Sequence, residues 1–149
     1  MSQRIEIANR NYAYLAPFFA QRLRLAIEDC ASDGYLIRLF EGFRSPDRQR
    51  WLFAQGRSRT GSIVTYAKAG QSWHQFGVAC DVVGYINGHF DWSIDYDKID
   101  VIFKSHGFES LKFERAHKQI RGGLTIAQAQ KIVANESIEA LWSQIANCK

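Results

Sequence analysis

The chain has 149 residues, 46% of them hydrophobic and 23% charged, a balance that suits one folded domain and excludes a disordered or fibrous protein. Its formal charge is +4 and its pI about 9.1, but the basic residues are scattered, so charge favours an anionic partner without indicating nucleic acid. No apolar run approaches the ~18 residues that span a bilayer, and Cys30, Cys80 and Cys148 have neither the number nor the spacing of a disulfide framework.

Ala13 to Ala20 is apolar, but it contains Pro17, leads into Gln21 and Arg22 and follows no basic cluster, so a cleavable signal peptide is not expected. Leu15, Phe19, Leu23, Ala26, Ile27 and Cys30 recur at helical spacing and predict a helix over residues 17–31, with Ser32-Asp33-Gly34 ending it. Residues 35–43 read as a buried strand, after which Ser45 caps a helix that Pro46 opens. Residues 56–70 form a polar, glycine-dotted loop of a length that usually signals function. A strand is predicted over 77–83, and Asn87-Gly88 is a hairpin signal. Tyr96, Ile99, Ile102 and Phe103 give an amphipathic helix ending at Gly107, and residues 117–120 read as a last strand. Thr125 and Gln128 form a capping box, and Ile138, Leu141, Trp142 and Ile145 mark a core-packing helix at the end of the chain. These elements predict an α+β domain over residues 1–149, a small antiparallel sheet flanked by helices.

The chemistry concentrates between Gly70 and Val83. Ala79 and Asp81 share one strand face, while Val78, Cys80 and Val82 point to the other. His74 lies at an odd offset from Asp81, so only a turn near Gly77 brings the two together. Taken alone, that pair reads as a hydrogen-bonded structural couple. Downstream, Glu114 and His117 lie three apart and can share a face of one turn. Two histidines, one carboxylate ligand and one spare carboxylate are the inventory of a catalytic zinc site, in which three protein ligands leave a fourth position open.

Ser72-x-His74-x-x-Gly77-x-Ala79-x-Asp81 resembles the signature of the zinc peptidases that include D-alanyl-D-alanine carboxypeptidases and phage L-alanyl-D-glutamate endopeptidases, with the Hedgehog/DD-peptidase fold. Glu41 to Ser45 with Gln49, Leu52 and Gln55 to Ser58, and then Ile63 to Ala67, are similar to the stretches before the first ligand in that family. The resemblance implies that His74, Asp81 and His117 hold Zn2+, that Glu114 is the general base, and that Arg44 contacts the substrate or the developing oxyanion. Ser72 and Gln49 match second-shell or substrate-side positions. The implied activity is hydrolysis of a peptidoglycan stem peptide by an L-alanyl-D-glutamate endopeptidase of phage or prophage type. It would be a monomer without a wall-binding domain or membrane anchor, made in the cytoplasm and released to the cell wall by a holin-like permeabiliser.

Three departures from the family pattern are expected on the wall of the cleft. Many of the endopeptidases have aspartate where Glu114 stands, whereas the carboxypeptidases have glutamate. The approach to His117 lacks the family's Trp-Gly-Gly character, and Lys118 replaces an aromatic residue. They leave open a D-alanyl-D-alanine carboxypeptidase or dipeptidase, and a zinc-containing binding module without catalysis. Other residues have plain structural readings: Arg44 can pair with Glu41 or Asp47, His89 and His106 read as structural, and Cys80 as packed inside. Trp73 suits either the core or the substrate groove.

Overall fold

The first long helix, α1, spans Pro17–Ser32 in the computed structural model, which describes residues 4–148. Phe19, Ala20, Leu23, Ala26 and Cys30 form its buried stripe. Its end is a Schellman motif: Gly34, at φ +90°, donates to Ala31 O and Tyr35 donates to Cys30 O. Tyr35 is thereby used to close the helix, and β1 is shorter than expected, Ile37–Glu41. At its far end Gly42 N–H bonds to Asn9 O and Arg44 N–H to His74 O, so the chain has left the sheet before Phe43. Helix α2 spans Pro46–Ala54, and the Ser45 hydroxyl accepts from Arg48 N–H at 3.1 Å, as a cap should.

Strand β2 spans Ala79–Ile86 and starts two residues later than the sequence suggests. The reason is a 3₁₀ turn, Trp73–Phe76, which Gly77 closes with φ +72°. Asn87 and Gly88 both have positive φ (53° and 81°), the requirement of a type I′ hairpin, and connect β2 to β3 (His89–Asp91). Helix α3 (Tyr96–Ser105) is capped by Asp95. Strands β4 (Glu109–Ser110) and β5 (His117–Gln119) follow, the former too short to show any alternation in sequence. Helix α4 (Ile126–Asn135) carries both bonds of the predicted capping box, and α5 (Ile138–Ala146) is capped by Ser137.

The five-stranded antiparallel sheet runs β1-β2-β5-β4, with β3 paired to the C-terminal half of β2. Gly84 pairs with Ile37 on one side and Asp91 on the other, while Asp81 pairs with Glu41 and His117, so β3 and β5 share one edge of β2. The α+β architecture is the one expected. Buried apolar side chains form one cluster that joins α1, α3, α4, α5 and the sheet. Phe108 ties it together through edge contacts to Phe19 (5.2 Å) and Phe103 (5.0 Å). Full burial of each such ring removes enough apolar surface to stabilise the fold by about 1.5–3 kcal/mol. Trp73 and Cys80 are buried in this cluster, and Cys30, Cys80 and Cys148 are all free thiols. No helix among the described residues is long and apolar enough to cross a membrane.

Candidate metal centre

Sheet register sets Glu41 of β1, Asp81 of β2 and His117 of β5 side by side, and paired residues present their side chains to the same face. His74 comes from outside the sheet. The 3₁₀ turn carries it back over β2, with the Ser72 hydroxyl capping the turn through His74 N–H (3.3 Å). Gly77 permits this return because its left-handed backbone brings Ala16 N–H to its own carbonyl at 2.9 Å. A β-carbon there would sit 3.2 Å from Ala16 N and 3.3 Å from Tyr14 O.

One ligating atom from each of His74, Asp81 and His117 lies within 4.8 Å of the others. Asp81 Oδ1 is 3.6 Å from His74 Nε2 and 3.8 Å from His117 Nδ1. Each imidazole has its remaining nitrogen committed elsewhere: His74 Nδ1 contacts Gly42 O at 2.7 Å, and His117 Nε2 contacts Gln119 Oε1 at 2.8 Å. Since both partners are acceptors, those nitrogens carry protons, which leaves His74 Nε2 and His117 Nδ1 as the nitrogens that can offer a lone pair to a metal. Asp81 Oδ2 accepts from Arg44 Nη2 at 3.0 Å, which leaves Oδ1 directed at the same point as the imidazoles. Burial pushes the Asp81 carboxyl up, but His74, Arg44 and His117 outweigh it and hold the group well below the ordinary carboxylate range. Burial, with His74 second, brings His117 down to about 4, so its ring is neutral near pH 7. Two imidazoles, each with its outward nitrogen held by an acceptor, and one ionised carboxylate converge on a point and make a donor set that fits a zinc ion.

The group opens into a cleft of about 290 Å³, lined by residues that include Arg44, Asp81, Glu114, His117, Val64 and Trp92. Glu114 Oε2 is 3.7 Å from His117 Nδ1. Burial and the nearby Asp81 charge raise the Glu114 pKa.

A family model described as VanY, D-alanyl-D-alanine carboxypeptidase, matches residues 12–122. The chain belongs to the VanY family. It is 37% identical over 84 residues to the peptidoglycan L-alanyl-D-glutamate endopeptidase CwlK of Bacillus subtilis (strain 168), which covers 56% of this chain and 50% of that protein. The chain thus spans about half the length of the curated relative it matches. Among solved structures, the Serratia marcescens L-Ala D-Glu endopeptidase ChiX aligns at TM-score 0.52 and 25% identity, over 73% of this chain and 82% of that one. The vancomycin-resistance D,D-pentapeptidase VanY of a VanB-type cassette, solved with Zn(II), aligns at TM-score 0.56 and 18% identity, over 83% and 80%, a likeness of fold.

Within this VanY-family domain, the residues expected to serve the site divide by location. His74, Asp81, His117, Glu114 and Arg44 converge, with Arg44 buried between Asp81 and Glu41 rather than paired with Asp47. Of the two placements expected for Gln49 and Ser72, both residues take the one behind the site's residues, and neither lines the cleft. Gln49 is fully buried, its amide donating to Ala67 O (2.7 Å) and Thr65 Oγ1 and accepting from Arg44, so it fastens the 56–70 loop to the arginine. Ser72 is spent on the 3₁₀ turn.

Lys118 is also not on the cleft wall: it points to the opposite face from His117 and is fully buried, its ammonium 2.9 Å from Asp100 Oδ1 and donating to Arg115 O (2.6 Å). There it fixes the backbone of the turn that carries Glu114 and His117. Arg48 and Gln119 are contributors the sequence reading passed over, and Glu41 entered it only as one of two partners for Arg44. Gln119 was the accessible one, because it lies two residues from His117 and therefore on the same strand face. His106 Nε2 contacts the Asp29 carboxylate at the end of α3, and His89 is exposed on β3, both away from the cleft.

Proposed function

We propose that this chain is a zinc-dependent peptidase of the peptidoglycan stem peptide, cutting the L-alanyl-D-glutamate bond, with His74, Asp81 and His117 as the metal ligands. The observation that carries the reading is the convergence of two inward imidazole nitrogens and an ionised carboxylate at the edge of an open cleft. When bound, zinc supplies Lewis acidity toward a water molecule and the scissile carbonyl. Glu114 lies beside this point with a raised pKa, placed to accept the proton of the attacking water and return it to the leaving amine. A C–O bond forms, the C–N bond breaks, and the products are a carboxylate and an amine. Arg44, ion-paired with Glu41, has N–H groups beyond those hydrogen-bonded to Asp81 and Gln49, and donates them to the carbonyl oxygen as charge develops.

The state of the cleft's cations supports an internal bond over a C-terminal one. A carboxypeptidase must receive the free carboxylate of its substrate. Here Arg44 is paired with Glu41 and Asp81, Arg48 with Glu41, and Arg115 with Asp97 and Asp100. Among the described residues lining the cleft, every cation has its anion. The identity to CwlK supports the same bond. The D-alanyl-D-alanine carboxypeptidase reading is kept as the second, favoured by the family description and by glutamate at position 114.

The proposal includes a lytic, phage-type role with release by a membrane permeabiliser, which the net charge of +4 suits by favouring an anionic envelope. Co-expression with and without a holin, followed by culture turbidity, tests it; lysis without the permeabiliser would exclude that dependence. The bond itself is tested by digesting purified sacculi with zinc-loaded protein. New glutamate amino termini are expected, and release of free D-alanine without them would replace this reading by the second.

A further inference from the structure

Trp92, just after β3, is 49% exposed and lines the same cleft as Asp81, Glu114 and His117. Its position is held from behind: the indole meets Phe40 edge-on at 4.7 Å, and Phe40 meets Phe90 at 5.5 Å. The Arg10 guanidinium lies 4.8 Å from the Phe40 ring and 5.0 Å from Phe90, and its Nε donates to Phe40 O. Asp91 Oδ1 accepts from Ser93 N–H, closing the turn that presents Trp92. The indole N–H of Trp142 is bonded to Phe76 O, whereas that of Trp92 has no acceptor among the described residues. A supported aromatic face with a spare donor thus stands beside the reacting group.

We propose that Trp92 is a subsite for the amino-sugar ring attached to the stem peptide, and so a specificity-determining residue; this rests on the endopeptidase reading. In peptidoglycan the L-alanine nitrogen is acylated by the lactyl group of N-acetylmuramic acid, so cutting after that alanine puts the sugar one residue from the scissile carbonyl. The stem peptide itself presents methyl groups, carboxylates and an amine. The largest apolar surface near the bond is the C–H face of the pyranose, which packs on an indole while its hydroxyl and acetamido groups accept from the N–H. A cutter of the terminal D-alanyl bond would act far from the sugar and gain nothing from the platform.

The zinc-loaded enzyme is given N-acetylmuramoyl-pentapeptide or the same peptide carrying only the D-lactyl group. The wild type favours the first by about five- to tenfold in kcat/KM. Trp92→Leu, which keeps apolar packing on Phe40, brings the ratio near one, and Trp92→Phe restores part of it. Equal use of both substrates by the wild type, or an undiminished preference in Trp92→Leu of unchanged thermal stability, overturns the proposal. The same ratio is read as affinity in zinc-loaded Glu114→Gln, where no turnover is needed. If the L-alanyl-D-glutamate bond is never cut yet sugar-dependent affinity disappears in Trp92→Leu, the endopeptidase reading fails while the subsite stands.

Discussion

An imidazole offers a metal one lone pair in a fixed direction only when its other nitrogen is held as a donor, and the two histidines here meet that condition differently. His74 is held by a backbone carbonyl, Gly42 O, which no side-chain substitution removes. His117 depends on the side chain of Gln119. Gln119→Leu should therefore weaken zinc binding about 10–100-fold, as loss of an outer-shell partner does, while leaving the three ligands in place; competition with a chromogenic chelator measures it, and unaltered affinity would mean that the tautomer is fixed by other means. Glu114→Gln should keep stoichiometric zinc and lose about 10²–10⁴-fold in kcat on sacculi or muropeptides. Equal activity at equal zinc content would remove Glu114 as the base, whereas no activity in the zinc-loaded wild type either would favour a binding module.

At the scale of elements, the site is a sheet ladder with a turn folded over it. Gly77 carries that turn, in a conformation that an L side chain rarely adopts and with backbone atoms of Tyr14 and Ala16 close to where a β-carbon would go. Gly77→Ala should destabilise the protein by about 1 kcal/mol or more in urea denaturation and displace His74, lowering metal affinity as well. An unchanged midpoint would show that the turn has room to relax. Much of this level was legible in the sequence, because helix ends and tight turns are local chemistry: Ser45, Pro46, Asn87-Gly88 and the Thr125 box lie where the structure uses them. The motif from Ser72 to Asp81 was legible through its resemblance to a family signature, since His74 and Asp81 taken alone read as a structural couple. Of the Glu41–Arg44–Asp81 chain, the pair between the near neighbours Glu41 and Arg44 was readable, but the link to Asp81 was not, since it follows from which residues two strands set opposite each other. Lys118 misled because a lysine is rarely fully buried, and its partner Asp100 lies on a helix that only tertiary packing brings near.

The whole molecule binds protons differently folded and unfolded. In the metal-free protein His117 titrates at about 4 instead of 6.5, so the unfolded chain takes up its proton first as the pH falls. This contribution to stability is complete above pH 6.5 and is lost as the pH drops toward 4; the depressed Asp81 adds a loss at lower pH, through and below the ordinary carboxylate range. Thermal unfolding of chelator-treated protein should accordingly show a lower Tm at pH 5 than at pH 7, and a flat profile would contradict a buried neutral His117. Adding zinc at pH 7 should raise the Tm, since an ion held by the folded state alone stabilises by mass action.

The donors for that ion are separated along the backbone: His74 and Asp81 lie on neighbouring segments, but His117 reaches them only when β5 has zipped onto β2. A chain emerging from denaturant therefore offers no high-affinity chelate until this long-range pairing is made. Stopped-flow uptake of Zn2+ during refolding would then serve as a clock for the docking of strand β5.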